Sequence, residues 1–333
     1  MPPWNISPEA AALHADALVW DNHVCMPIRP DDAFLPQLAR CKQAGIDVVT
    51  LNVMFDAIAW PDGIHVLAFF RNWILDRPDD YVLARSVDDI ARARADDKLA
   101  VAFDIEGMTA LGEQPSMVRL YYDLGVRWML VAYNKNNAAG GGCQDDDPGL
   151  TSFGRQVLDE MARVGMVVCC SHTGERTTME VFEHASNPVL LSHSNPSALQ
   201  AHPRNVSDRV MRACAATVGV VGITGFGYFL QHQDTSPDNF VRHVDYAVEL
   251  IGPEHVGLGL DYVFDEQELK DFLDNHRDLY PESAGYTGFP EMVAPEQLPA
   301  ITEALLRRGY PEPAIRGILG ENLLRVCGQV WRG

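Results

Sequence analysis

Apolar residues in this chain fall into eight short runs, at 17–21, 46–53, 99–105, 127–133, 166–171, 189–192, 218–223 and 255–261. Most are rich in valine, leucine and isoleucine and lack polar alternation, the signature of strands covered on both faces. Helix-like stretches separate them, at 32–44, 66–76 with 87–96, 115–124, 152–164, 175–185, 207–216 and 237–250. Ser86-Val-Asp-Asp offers an N-cap with an acidic first turn, and Ser236-Pro237 puts proline at a first helical position. Gly45, Gly125 and Gly165 each follow a helical pattern, as C-cap glycines do. Eight strand–helix repeats without linker-like composition predict an α/β protein, one (β/α)8 TIM-type barrel spanning 1–333 as a single domain. The tail at 295–333 adds further helices, the last holding Asn322-Leu-Leu-Arg-Val.

Two segments are too long and polar for simple connections: 134–149 after the fourth strand and 262–291 after the eighth. Both lie on the face where a barrel builds its active site, so they are candidate lids or pocket walls. Polar residues gather at that same face. Strand one ends in Asp21-Asn22-His23-Val24-Cys25, strand three in Asp104-Ile105-Glu106-Gly107, and strand eight in Asp261. The fifth and sixth runs each end in Ser-His, so His172 and His193 sit just past equivalent strand ends. The helix-like stretch between them makes a strand–helix–strand unit, whose strands are parallel and bring both imidazoles to one sheet edge. Two converging imidazoles there point to metal ligation.

Charge narrows the field of partners. With 46 acidic against 26 basic residues, the formal charge is −20, which argues against nucleic acid and anionic membrane surfaces. The N-terminus lacks a basic segment followed by an apolar one, and no apolar run reaches membrane-spanning length. Seven cysteines, several of them in apolar runs, suit reduced thiols, so the cytoplasm is the expected compartment.

His23 and Cys25 are two apart, which puts them on one side of an extended segment, where they can offer zinc a nitrogen and a thiolate. The competing role for Cys25 is a small buried hydrophobe. Glu106, between an apolar strand and a glycine, suits a carboxylate bridging two metals, with an outer or capping role as the alternative. Arg204, in His-Pro-Arg-Asn-Val, could grip a substrate carboxylate bidentately or make an ordinary loop salt bridge. His202 beside it is the one further histidine to watch. Cys169 and Cys170 are adjacent, point to opposite faces and cannot readily share one metal. Cys143 sits in the polar loop, and no cysteine carries a hydrolase nucleophile signature.

Taken together these pieces resemble the membrane (renal) dipeptidase family of zinc peptidases. The resemblance rests on FDIEG at 103–107, GLTSFGRQVLDEMARVGM at 149–166, Ser-His at 171–172, SHSNPSAL at 192–199, HPRNVSD at 202–208, GLGLDY at 257–262 and GENLLRV at 320–326. It implies the same barrel and a site for two zinc ions: His23 on the first, Glu106 bridging, His172 and His193 on the second. It also implies that Asp261 transfers the proton and that Arg204 binds the dipeptide carboxylate. A bridging hydroxide would attack the peptide carbonyl of a small dipeptide, often one with a D-residue at its C-terminal side. A homodimer is the candidate assembly, with neither membrane nor nucleic acid as partner.

Three departures stand out. The family's His-x-Asp is here His23-Val24-Cys25, a softer donor that leaves the first metal position retuned, weakened or lost, with one ion in place of two in the last cases. An outer aspartate in Asp-x-Ser-His is replaced by Cys169. A fourth-strand histidine near the scissile carbonyl aligns with Tyr133, whose phenol can donate to a developing oxyanion and contact substrate. The expected activity is zinc-dependent hydrolysis of L-Xaa-D/L-Xaa dipeptides. The alternatives are a related metallohydrolase acting on another amide or lactam, and a binding paralogue whose site has decayed.

Overall fold

Valine- and leucine-rich runs can be covered on both faces only in a sheet wrapped by helices, and the computed structural model, which describes residues 4–332, builds that arrangement. Its strands are β1 (Trp20–Cys25), β2 (Val48–Phe55), β3 (Tyr81–Leu83), β4 (Leu99–Glu106), β5 (Val126–Leu130), β6 (Val167–Cys169), β7 (Val189–Leu191), β8 (Val220–Ile223), β9 (Val256–Leu258) and β10 (Tyr262–Val263). They run in the order β10-β1-β2-β4-β5-β6-β7-β8-β9 with β3 beside β4, and every pairing is parallel. The chain leaving β9 turns through Asp261 into β10, which pairs with β1 and curls the sheet into a ring. This is the (β/α)8 barrel expected from the repeats.

Alternate strand residues fill the ring. Trp20, Val48, Ala100, Trp128, Val167, Leu190 and Val220 form an inner cluster, whereas Val49, Leu51, Phe103 and Val168 face the surrounding helices. The C-terminal helix Asn322–Val330 plugs the bottom, setting Leu323, Val326 and Cys327 into the inner cluster. Leu323 is fully buried there. Leu323→Ala should therefore cost about 2–5 kcal/mol of stability, read by urea unfolding.

Several expected boundaries move. The first strand starts at Trp20 and not at 17, and runs to Cys25, where β10 pairs Tyr262 with Val24 and Val263 with Cys25. The strands β3 and β10, of three and two residues, join the sheet beyond the eight runs. The helix between β2 and β3 starts at Trp60, ahead of the expected 66, and Ser86 caps the helix before β4 in a capping box with Asp89. The segment 262–291 is not a plain loop. It holds β10 and the helix Glu266–Asn275, which Asp265 caps. No helix among the described residues is long and apolar enough to cross a membrane.

Candidate active site

The C-terminal ends of the strands converge on one buried cluster. In β1 the register against β2 slips between Asp21 and Val24, leaving one extra residue around Asn22 and His23. Such a bulge re-aims side chains, as bulges beside active sites do. Glu106 ends β4, and Gly107 follows at φ +113°, where a Cβ would lie 2.1 Å from the Asp56 carboxyl group. A glycine is needed for that turn. His172, Asp261 and Asn134 hold φ of 61°, 60° and 58°, left-handed values that non-glycine residues seldom adopt and that gather at functional sites.

Three imidazoles aim at one oxygen. Glu106 Oε1 lies 3.2 Å from His193 Nε2, 3.3 Å from His172 Nε2 and 3.6 Å from His23 Nε2. The two nitrogens of His172 and His193 are 3.0 Å apart. On the other side of His23, Nε2 is 3.5 Å from Cys25 Sγ and 3.6 Å from Asp261 Oδ1, and the thiol is 3.4 Å from that same carboxyl oxygen. His23, Glu106 and His193 each bring a donor atom within 4.8 Å of the others, as do His23, Cys25 and Asp261.

The far nitrogens are held from behind. His172 Nδ1 is 2.8 Å from Asn134 Oδ1, and His193 Nδ1 is 2.8 Å from Ser192 Oγ, which accepts from the Cys169 thiol at 3.1 Å. His23 Nδ1 lies 3.3 Å from Asp104 Oδ2, an ion-pair contact without hydrogen-bond alignment. Partners behind the ring orient metal-binding histidines and leave Nε2 free to ligate. Cys169, in place of the expected outer aspartate, thus supports His193 at one remove through Ser192. Asp104→Asn should weaken metal affinity about 10–100-fold, measured by competition with a chelator.

Burial and neighbouring charge shift the proton affinity of each converging group. Burial raises the Glu106 carboxyl to about 8, more than the His23 charge lowers it. Burial also raises Asp261, again against the pull of His23. His172 and His193 fall well below the ordinary histidine value, through burial first and then the nearby Arg204 and His23 charges. Burial would lower His23 too, but Cys25, Asp104 and Glu106 hold it well above. Glu106 Oε1 is buried without a hydrogen-bond partner. His172 and His193, kept neutral, and His23 surround the unpartnered Glu106 oxygen with a thiol alongside, a donor set that fits a divalent transition metal such as zinc once its protons are displaced.

Two further expected residues flank the cluster. Tyr133 stacks on His172 with ring centroids 4.0 Å apart, and its hydroxyl is 2.5 Å from that of Tyr280. It can donate toward the cluster when Tyr280 supplies the proton shared between them. Arg204 is buried under the mouth: its Nη2 donates to the His193 carbonyl at 3.1 Å, its guanidinium lies 5.1 Å from the Phe229 ring centre, and its Nε has no partner. His202 accepts from the Arg204 backbone N–H at 3.1 Å and packs edge-on to Phe229 and Tyr286, so it braces the loop.

Two cavities meet at His172. One of about 170 Å³ borders Cys25, Glu106, Tyr133, Asp261 and the helix Glu266–Asn275, and the other, of about 180 Å³, borders Arg204 and Cys143. The chain alone gives Asn134, Ser192 and Tyr280 no role, and it places Asp104 at the polar end of a strand without one. The spacing of Asp104 two residues before Glu106 was the usable signal, as in His23-x-Cys25; nothing local marks Asn134 or Tyr280.

Comparison with known proteins bears on this geometry. The model of the membrane dipeptidase family (peptidase family M19) matches residues 62–279, a span that begins after His23 and Cys25. An uncharacterized protein in the pqqA 5′ region of Klebsiella pneumoniae is 31% identical over 278 residues, covering 80% of this chain and 95% of that one. The dipeptidase tcpJ of Claviceps purpurea is 31% identical over 258 residues, 76% of this chain, although the match spans only 56% of the fungal protein. Among solved structures, an amidohydrolase from Pseudomonas aeruginosa superposes with a TM-score of 0.87 at 29% identity, covering 97% of this chain and 99% of its own. A metallopeptidase from Rhodobacter sphaeroides, solved with a phosphinate mimic of L-Ala-D-Ala, shares the fold with a TM-score of 0.77 at 19% identity, covering 95% of this chain and 100% of its own.

Proposed function

The chain belongs to the membrane dipeptidase family of peptide-bond hydrolases, and on that footing we propose that it is a zinc-dependent dipeptidase acting on L-Xaa-D-Xaa or L-Xaa-L-Xaa substrates. The observation that carries this reading is the convergence of three imidazole Nε2 atoms within 3.6 Å of the unpartnered Glu106 Oε1. His172, His193 and Glu106 would hold one ion, and His23 and Cys25 with Glu106 a second. When bound, the metal supplies Lewis acidity, polarising the peptide carbonyl and acidifying the attacking water.

The residues around it do the rest. Asp261 is raised by burial, so its carboxyl group can take a proton and hold it for the leaving amine. Tyr133, kept protonated by burial, has a donor for the oxygen on which charge develops. Arg204 offers its unpartnered Nε to the substrate carboxylate, which limits substrates to short peptides.

Metal analysis of the purified chain, paired with a panel of L-Xaa-D-Xaa and L-Xaa-L-Xaa dipeptides, tests this reading. Bound zinc with hydrolysis of at least one dipeptide is expected. No bound metal, together with no hydrolysis in added zinc, would overturn it.

A further inference from the structure

The cavity beside Cys25 and Asp261 is far more apolar than metal chemistry requires. Phe55, Phe226, Phe229, Leu269, Phe272 and Leu273 line it. Its polar groups are largely committed elsewhere. Asn52 donates to Asp104 Oδ2 at 3.1 Å and to the Met54 carbonyl at 3.3 Å, and the Tyr133 and Tyr280 hydroxyls bond to each other. A polar side chain entering here would lose water and gain few partners, whereas an apolar one would bury its surface. The volume of about 170 Å³ is close to that of cavities of about 150 Å³ that take up benzene. One aromatic ring or a leucine-sized side chain therefore fits.

Charge decides which end of a dipeptide goes there. The carboxyl groups lining this cavity are Glu106, Asp261 and Glu268, the last at the rim facing Arg29 at 3.5 Å. Among the described residues no lysine or arginine lines it, so a carboxylate would find no cationic side chain there. Across His172 lies the second cavity, where Arg204 Nε is unpartnered. The acidic groups lining it are engaged: Asp145 with Lys135, Asp147 with Thr177, and Glu175 opposite Arg209. The carboxylate end belongs on the Arg204 side and the amino end on the aromatic side.

Resting on the dipeptidase reading, we infer that the aromatic cavity is the side-chain subsite for the N-terminal residue of the substrate, and that the preferred substrates carry a bulky apolar residue there. Phe55 from the end of β2, Phe226 and Phe229 after β8, and Leu269, Phe272 and Leu273 from the helix Glu266–Asn275 set that preference.

The test uses the metal-loaded full chain with L-Phe-D-Ala, L-Ala-D-Ala and L-Ala-D-Phe. L-Phe-D-Ala should exceed L-Ala-D-Ala in kcat/KM by roughly ten- to hundredfold, the discrimination that burial of a phenyl group supplies. L-Ala-D-Phe should gain less than about threefold, since its ring falls on the Arg204 side. Leu269→Trp, which fills the cavity, should lower kcat/KM for L-Phe-D-Ala at least roughly tenfold more than for L-Ala-D-Ala, and Phe272→Ala, which removes a wall, should erode the same preference. Equal rates for L-Phe-D-Ala and L-Ala-D-Ala, or a gain confined to L-Ala-D-Phe, would overturn the assignment. Absence of turnover with every dipeptide would count against the dipeptidase reading itself. In that case calorimetric binding of free L-Phe against L-Ala decides the subsite: tighter binding of L-Phe supports it, and equal binding refutes it.

Discussion

Glu106→Gln should lower dipeptidase activity by roughly a thousandfold, beyond the 10–100-fold typical of losing a group that only braces a ligand. Glutamine keeps the shape of the side chain but removes the charge on which His23, His172 and His193 converge. It also turns an acceptor into a group that can present an N–H to three nitrogens meant to face a cation. Metal content should fall in parallel, as shown by equilibrium dialysis. The fold itself should not suffer. Burial without a hydrogen-bond partner already holds Glu106 Oε1 at a cost, so the metal-free variant should unfold no more readily than the metal-free parent. Full activity and full metal content in Glu106→Gln would remove this carboxylate from the site.

Cys25→Ala is the second large effect. Burial pushes the Cys25 thiol up, so without a metal it stays protonated beside His23 and Asp261, and a bound ion would displace that proton. Loss of the sulfur should lower metal content by about one ion per chain and activity by roughly a hundredfold, in line with loss of a donor from a two-ion site. Cobalt-substituted protein separates this from a packing defect. A sulfur-to-metal charge-transfer band in the near ultraviolet should be present in the parent and absent in both Cys25→Ala and Cys25→Asp, while Cys25→Asp keeps the ion through an oxygen donor. Unchanged spectra and metal content in Cys25→Ala would make Cys25 a small buried hydrophobe and nothing more.

How much of this could be read from the chain differs residue by residue. His172 and His193 were legible because two apolar runs both end in Ser-His, and parallel strands must then deliver both rings to one edge. His23 and Cys25 were legible as a pair from their spacing, but the bulge that turns His23 inward depends on register against β2, which no local pattern encodes. The barrel followed from counting repeats. Its closure did not, because β10 is two residues long and follows a turn at Asp261. Arg204 is legible as a carboxylate grip, but its place, buried beneath the mouth over Phe229 and held by the His193 carbonyl, is set by tertiary packing. The aromatic cavity was the least visible feature. Phe55 and Phe272 meet edge to face with ring centroids 5.3 Å apart although more than two hundred positions separate them in sequence, and only tertiary packing joins them.

Anomalous diffraction at the zinc edge, from crystals of the chain purified with zinc, tests the central claim most directly. The account predicts one peak at coordination distance, roughly 2.0–2.3 Å, from Glu106 Oε1 and the Nε2 atoms of His172 and His193, and a second beside His23 Nε2 and Cys25 Sγ. A map with no peak among these atoms would contradict it.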